Sequence, residues 1–498
     1  MAVHRIGVWL GLVIILASVA LGRAQTSKSE EYLLLGNASR GAGEPMIAVD
    51  PTNPNNIIAV AMGSLQQLHG KPSTQGSTND YHEVAHSTIT WLAVTHDGGV
   101  TWDVKELPIL SGKLTRCPDS FADVTKDGVF IAGCEPRETA SDPDYWGMSA
   151  LVVSTDKGQT WGPIVPIVSD YEPKRFALGL QPVSGGFPPG APNRIASNSP
   201  WDRPFTRIDD STGVIYGVAQ GGSAIVDAAA GRRRSQAYIT ASTDQGKSFG
   251  TIYSWDSPQY PQASRGVSFT AAHGAVAVTY IASSVPQHEA AMCPCAVFGL
   301  SRDRGRTFTY HVLKNITVSP AGEGRGRSGS AGDNGGLTAI SADPTRAGRF
   351  ALLKGERARY SVSTSENNGE TWSQFVTAGT VPDAISFTKP AFKYSRDGGL
   401  GLMWRAVYAD RTYDIWAAIS RDSGKTFSRP LRVSHARSPS FDPYRNAGLF
   451  GDDIQDLSMD RQNMHLVWGD SRSGFQAVWY GRVRLADFDG SDTEHERR

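Results

Sequence analysis

An eight-residue pattern, Ser/Thr-x-Asp-x-Gly-x-Thr/Ser-Trp/Phe, recurs along almost the whole chain and constrains its fold more than any other feature. It is read at Thr95 to Trp102, Ser154 to Trp161, Ser242 to Phe249, Ser301 to Phe308 and Ser420 to Phe427. A sixth copy, Ser365 to Trp372, carries Asn367 in place of the aspartate. Marker residues at 97, 156, 244, 303, 367 and 422 give steps of 59, 88, 59, 64 and 55 residues. A near-constant period of this kind points to stacked units that bury their apolar faces against one another.

The chemistry of the pattern gives the unit. An apolar run precedes each copy, as in Trp91 to Val94, Ala150 to Val153, Val297 to Leu300 and Ile415 to Ile419, and an alternating run follows the aromatic. This reads as strand, tight turn, strand, with Asp or Asn closing the turn on local backbone amides and Gly in the left-handed position. One hairpin cannot bury the terminal Trp or Phe, so the units must pack side by side.

The six copies resemble the Asp-box, or bacterial neuraminidase (sialidase), repeat of β-propeller proteins, over residues 44 to 485. The resemblance implies an all-β propeller in which the box is a structural turn on the face opposite the active site. Boxes of this kind occur in sialidases, in other glycan-active enzymes and in non-catalytic propellers, so they specify fold rather than reaction.

Seven inner-strand candidates begin near Glu44, Cys117, Asp202, Ser264, Asp333, Thr388 and Asp452, and a box follows six of them. The seventh unit ends in Gln476 to Leu485, and Tyr32 to Leu35 can supply its outer strand, closing the ring without exposed edges. The expectation is a seven-bladed propeller, with six blades as the alternative. No convincing amphipathic helix is legible.

Met1 to Arg5 is short and basic, Ile6 to Gly22 is almost wholly apolar, and Gly22-Arg23-Ala24 offers small residues where a signal peptidase reads. We expect a signal peptide over 1–24, a secreted or periplasmic protein, one propeller domain over 25–486 and a polar, disordered tail over 487–498. An uncleaved N-terminal anchor is the alternative. After cleavage no membrane insertion is expected, since no later stretch is apolar enough to span a bilayer. Lys+Arg and Asp+Glu are both 49, without long blocks of either sign, which argues against a nucleic-acid partner. Arg232-Arg233-Arg234 reads as a solvated loop. A monomer is expected, and no cofactor or metal.

The four cysteines of an exported chain are candidate disulfides. Cys117 and Cys134 flank a predicted hairpin turning at Lys126-Asp127-Gly128, which sets them side by side for a bridge. For Cys293-Pro294-Cys295, a strained bridge and a metal site lacking further ligands both stay open. Asn37-Ala38-Ser39 and Asn315-Ile316-Thr317 are glycosylation sequons if the host is a eukaryote.

Loops at the channel mouth should carry the function, and three are long: Ser64 to Ser87, Ser169 to Trp201 and Asn315 to Gly332. The inner-strand starts are unusually polar: Glu44, Asp119, Asp202, Arg203, Arg265, Asp333, Asn334, Lys389, Asp452 and Asp453. They read either as a polar pocket or as a self-satisfied network of ion pairs.

The sialidase resemblance implies three arginines on a substrate carboxylate, a Tyr nucleophile assisted by a Glu, and an Asp acid/base. Where that family carries Arg-Ile-Pro on its first inner strand, this chain reads Glu44-Pro45-Met46; the nearest look-alike, Asp202-Arg203-Pro204, falls on the third blade. By analogy Tyr444 is the nucleophile, Asp80 the acid/base and Glu44 a further catalytic group. Arg203, Arg265, Arg405 and Arg445, with Asp202, Asp452 and Asp453, would bind substrate. The literal H-E-x-x-H match at His82-Glu83-Val84-Ala85-His86 runs straight into a predicted strand, so His82 and Glu83 read as ligand contacts rather than zinc ligands on a helix. The expected activity is that of an exported sialidase-like glycoside hydrolase acting on a glycan. The alternatives are a non-catalytic glycan- or protein-binding propeller, and a polysaccharide lyase acting on uronate polymers through His82, Tyr444 and Arg445.

Overall fold

Among the described residues seven antiparallel sheets form the ring, six of them four-stranded and one five-stranded, and each box joins the third and fourth strands of its sheet. The computed structural model describes residues 29–37, 40–64, 88–110, 114–138, 148–169, 202–227, 232–289, 293–316, 336–439 and 454–489. Blades 1 to 7 have the inner strands Ala42–Val49, Phe121–Val124, Asp202–Asp209, Gln262–Ala272, Gly336–Ala342, Ala384–Tyr394 and Asp456–Met459. The outer strand of blade 7 is Glu30–Leu35, paired antiparallel with Ala477–Arg484, so the two ends of the propeller share a sheet as expected. Seven blades therefore replace the six-bladed alternative. Apolar side chains collect between blades: one buried cluster spans blades 1 to 3, and five others fill the remaining junctions around to blade 1.

The box geometry shows why the motif needs its residue types. In blade 2, Ser154 Oγ donates to Asp156 (2.8 Å) and accepts from Gly158 N (2.7 Å), while Thr160 donates its backbone N–H (2.8 Å) and its hydroxyl (2.5 Å) to Asp156. The same network recurs at Asp97, Asp244, Asp303 and Asp422. Asn367 has one acceptor oxygen, which takes Ser365 (3.1 Å), Thr371 N (3.0 Å) and Thr371 Oγ1 (3.2 Å) together.

The turn bends through two successive left-handed residues. One is the expected glycine, and the residue before it shares the conformation, with φ of 62° or 63° at Lys157, Gln245, Arg304, Asn368 and Ser423.

Each box glycine also docks on the third strand of the preceding blade. A Cβ added at Gly158, Gly246, Gly305, Gly369 or Gly424 would meet Val94, Val153, Ile239, Phe298 or Thr364, and one at Gly99 would meet Tyr480 of blade 7. The box aromatics follow: Trp372 packs edge-on against Phe298, and Trp102 against Tyr480, both across a blade junction. Blade 7 has no box to set against blade 6. Polar contacts join the apolar cluster at that junction, with Lys393 to Asp456 (2.6 Å), Tyr413 Oη to Gly469 O (2.8 Å) and Arg421 to Asp489 (2.8 Å).

Cys117 and Cys134 form the expected disulfide beside the Phe121–Val124/Phe130–Cys134 hairpin, and Cys293 is bonded to Cys295. Two local readings change. Arg232–Ser242 is a strand, and Arg232 to Arg234 pair with Ile225 to Asp227 in an extended hairpin rather than forming a loop. The chain is also ordered through Asp489: Leu485–Asp489 is a 3-10 helix that buries Phe488, because that one aromatic in the polar tail finds the blade 6–7 cluster. Among the described residues no helix is long and apolar enough to cross a membrane.

Candidate functional site

Antiparallel order fixes the two ends of the ring. The turns between first and second strands, and the boxes between third and fourth, lie at one end; the starts of the inner strands lie at the other. At that second end the inner strands carry bulges. Two inner-strand residues oppose one on the neighbouring strand between Gly43 and Met46, between Asp202 and Phe205, and between Thr388 and Ala391. The extra pairs are Glu44-Pro45, Arg203-Pro204 and Lys389-Pro390, a charged residue followed by proline each time. Proline cannot donate to a ladder, so it tolerates a bulge and helps to fix one there.

Blade 2 does the same with Asp119-Ser120, between the Glu135 N to Pro118 O bond (3.0 Å) and the Phe121/Gly133 pair. In blade 4 the shift between Gln262 and Val267 contains Arg265. Glu44, Asp119 and Lys389 have φ of 50°, 51° and 51°, which non-glycine residues seldom adopt and which costs about 1–3 kcal/mol each. Glu44, Asp119, Arg203 and Lys389, predicted from the sequence, thus stand at equivalent two-residue bulges around the channel, and Arg265 stands within a longer irregularity of blade 4.

The remaining predicted residues divide. Glu44 is buried at its bulge. Arg405 lies opposite Thr388 and is 3% exposed; its Nη2 donates to Gly469 O (3.0 Å), its Nε to Gln455 Oε1 (3.3 Å), and its guanidinium covers the Tyr413 ring at 4.7 Å. It therefore joins blades 6 and 7 just below the mouth. Asp202, Arg203 and Arg265 are placed by their backbone alone. Asp80, His82, Glu83, Tyr444, Arg445, Asp452 and Asp453 lie outside the described residues, as do Asp333, Asn334 and most of the three long loops.

Below the mouth, a cavity of about 330 Å³ runs down the ring axis and is lined from all seven inner strands. It holds charged residues that the sequence reading missed: Asp123, Arg207, Asp210, Lys393, Arg396 and Asp456. Their signal was available in principle, as charges inside strands otherwise apolar. Lys393 pairs with Asp456, whose Oδ2 also accepts from Ile47 N (3.2 Å). Arg396, on the turn after the blade 6 inner strand, donates to Asp210 of blade 3 (2.5 Å) and to Val124 O of blade 2 (2.6 Å). This strut crosses the ring at the box end. Burial pushes the Asp123 carboxyl above its ordinary value, against the pull of Arg207, Lys393 and Arg396. Among the described residues no group of His, Cys, Asp and Glu is arranged to hold a metal ion.

No protein-family model matches the chain, and no curated protein matches it in sequence. Solved structures do align with it. A protein of unknown function from Dyadobacter fermentans aligns at 12% identity and TM-score 0.48, covering 91% of this chain and 98% of its own. A Hadza microbial sialidase aligns at 15% and 0.43, covering 80% and 74%, and a leech intramolecular trans-sialidase at 12% and 0.44, covering 93% and 95%. The ring itself is an all-β propeller of seven sheets whose turns carry the repeated eight-residue pattern.

Proposed function

We propose that the protein acts on anionic glycans at the channel mouth opposite the boxes, by a glycosidase reaction of the sialidase type. The observation that carries this reading is the circle of bulges bearing Glu44, Asp119, Arg203, Arg265 and Lys389. Strained backbone and concentrated charge at one end of a rigid ring are features of sites that hold a ligand. Arginine suits bidentate carboxylate contacts, so Arg203, Arg265 and Arg445 would grip the acid group of the sugar, with Arg405 bracing the wall beside them. Tyr444 would attack the anomeric carbon with Asp80 as acid/base and Glu44 as its assisting carboxylate. The protein would be exported and would meet its glycan outside the cytoplasm.

A screen of the mature protein against sialosides and uronate-containing polysaccharides tests this. Tyr444→Phe should lower turnover by about a hundredfold or more, and Arg445→Ala should raise KM chiefly. Unchanged turnover in both variants removes the assignment. Glycan binding without turnover in the wild type would favour the non-catalytic reading, and unsaturated uronate products the lyase.

A further inference from the structure

The lower half of the channel has a charge balance of its own. Two of its cations are matched: Arg396 by Asp210, and Lys393 by Asp456. Arg207 and Asp123 are left over. Arg207 sits on the blade 3 inner strand with its Nη1 on Thr206 O (2.8 Å) and its guanidinium 5.2 Å above the Phe269 ring, and no carboxylate lies within salt-bridge distance of it among the described residues. Asp123 accepts from Val124 N (3.0 Å) and has Arg207, Lys393 and Arg396 as its charged neighbours. The Arg396 strut crosses the channel at the box end, below this level.

We propose that Arg207 and Asp123 form a second ligand site inside the channel, separate from the mouth, that takes a small carboxylate anion. Arg207 supplies a planar donor fork for the carboxylate, and Asp123, when protonated, donates its O–H to the same group. The cavity is of a size for one small molecule. An ionised Asp123 repels the anion, so occupancy depends on its proton. Arg207, Lys393 and Arg396 favour the ionised form and burial opposes it, while Asp210 and Asp456 are already engaged by Arg396 and Lys393. Affinity therefore rises as pH falls through the raised value of Asp123. The site does not depend on turnover at the mouth.

The test is a thermal-shift titration of the whole mature protein with sodium acetate, and in parallel with inorganic phosphate, at constant ionic strength between pH 5 and 8. Ligand that binds the folded state alone raises the melting temperature by mass action. Acetate should raise it, more strongly at pH 5 than at pH 8, and phosphate should have the smaller effect. Arg207→Lys keeps the charge and loses the fork, and should weaken the apparent acetate affinity about tenfold. Asp123→Asn mimics the protonated acid, and should bind acetate with the same affinity across the pH range. Three results would each overturn the proposal: no acetate response in the wild type, a response that phosphate exceeds, or an Asp123→Asn variant that keeps the wild-type pH profile.

Discussion

The two ends of the ring use left-handed backbone in opposite ways. At the box end, Lys157, Gln245, Arg304, Asn368 and Ser423 take φ near 62°, each followed by a glycine and enclosed by a filled hydrogen-bond network. At the mouth, Glu44, Asp119 and Lys389 take φ near 50° in or beside the inner strands, with no glycine after them. The first set makes a turn that locks blades together. The second turns charged residues of separate blades into one circle. Hydrogen bonds within the turn accompany the strain at the boxes, and the strain at the mouth is what the proposed site rests on.

The largest expected effect lies at the box end. Gly369→Ala would place a methyl group 2.2 Å from the Phe298 ring at a φ of 82°, and should destabilise the fold by about 2–4 kcal/mol in denaturant melts. Gly474 has the same kind of φ, at 84°, with nothing near its Cβ position, so Gly474→Ala should cost only about 1 kcal/mol. Equal losses at the two glycines would remove the inter-blade role of the boxes.

Acid should act on the same end. Hydrogen bonds from Thr160 and Ser154 hold Asp156 down at about 2, and Thr101 holds Asp97 well below the usual carboxylate range. At Asp244, Asp303 and Asp422 partial burial pushes upward, and hydrogen bonds from Ser248, Thr307 and Thr426 outweigh it. A depressed folded value means stability that is complete above the unfolded value of 3.8 and is lost as pH falls through the folded one. The melting temperature should therefore drop between about pH 4 and 2. A flat profile there would contradict the box carboxylates' contribution.

The smallest effect is expected at the exceptional box. Asn367→Asp restores the second acceptor oxygen for Thr371, and should raise stability by about 0.5–1 kcal/mol at pH 7, a gain that shrinks as pH falls through the depressed value of a box carboxylate. A gain that is the same at every pH down to about 2 would mean that shape rather than charge accounts for it.

The ring was legible in the sequence because its signal is local and repeated. Box residues, the apolar runs before them and the hairpin between Cys117 and Cys134 all act within a few residues of one another. Even the closing strand at Tyr32 to Leu35 followed from counting. The mouth was half legible. Polar residues at strand starts named Glu44, Asp119, Arg203, Arg265 and Lys389, yet the bulges that make them equivalent appear only once register is known, although the charged-Pro pairs were in view. Asp123, Arg207 and Arg396 stayed hidden, because the charged groups around them come from other blades, as Arg396 reaches Asp210 across 186 residues of chain.

The central claim is that chemistry belongs to the mouth and stability to the boxes. Its most direct test is a matched pair, Lys389→Gly at the mouth and Gln245→Gly in a box, each relieving a left-handed non-glycine residue. Gln245→Gly should stabilise the fold by about 0.5–1 kcal/mol and leave glycan turnover or binding unchanged, whereas Lys389→Gly should melt within about 1 kcal/mol of wild type and lose at least about tenfold in turnover or binding. Full glycan activity in Lys389→Gly, or its loss in a folded Gln245→Gly, would contradict the account.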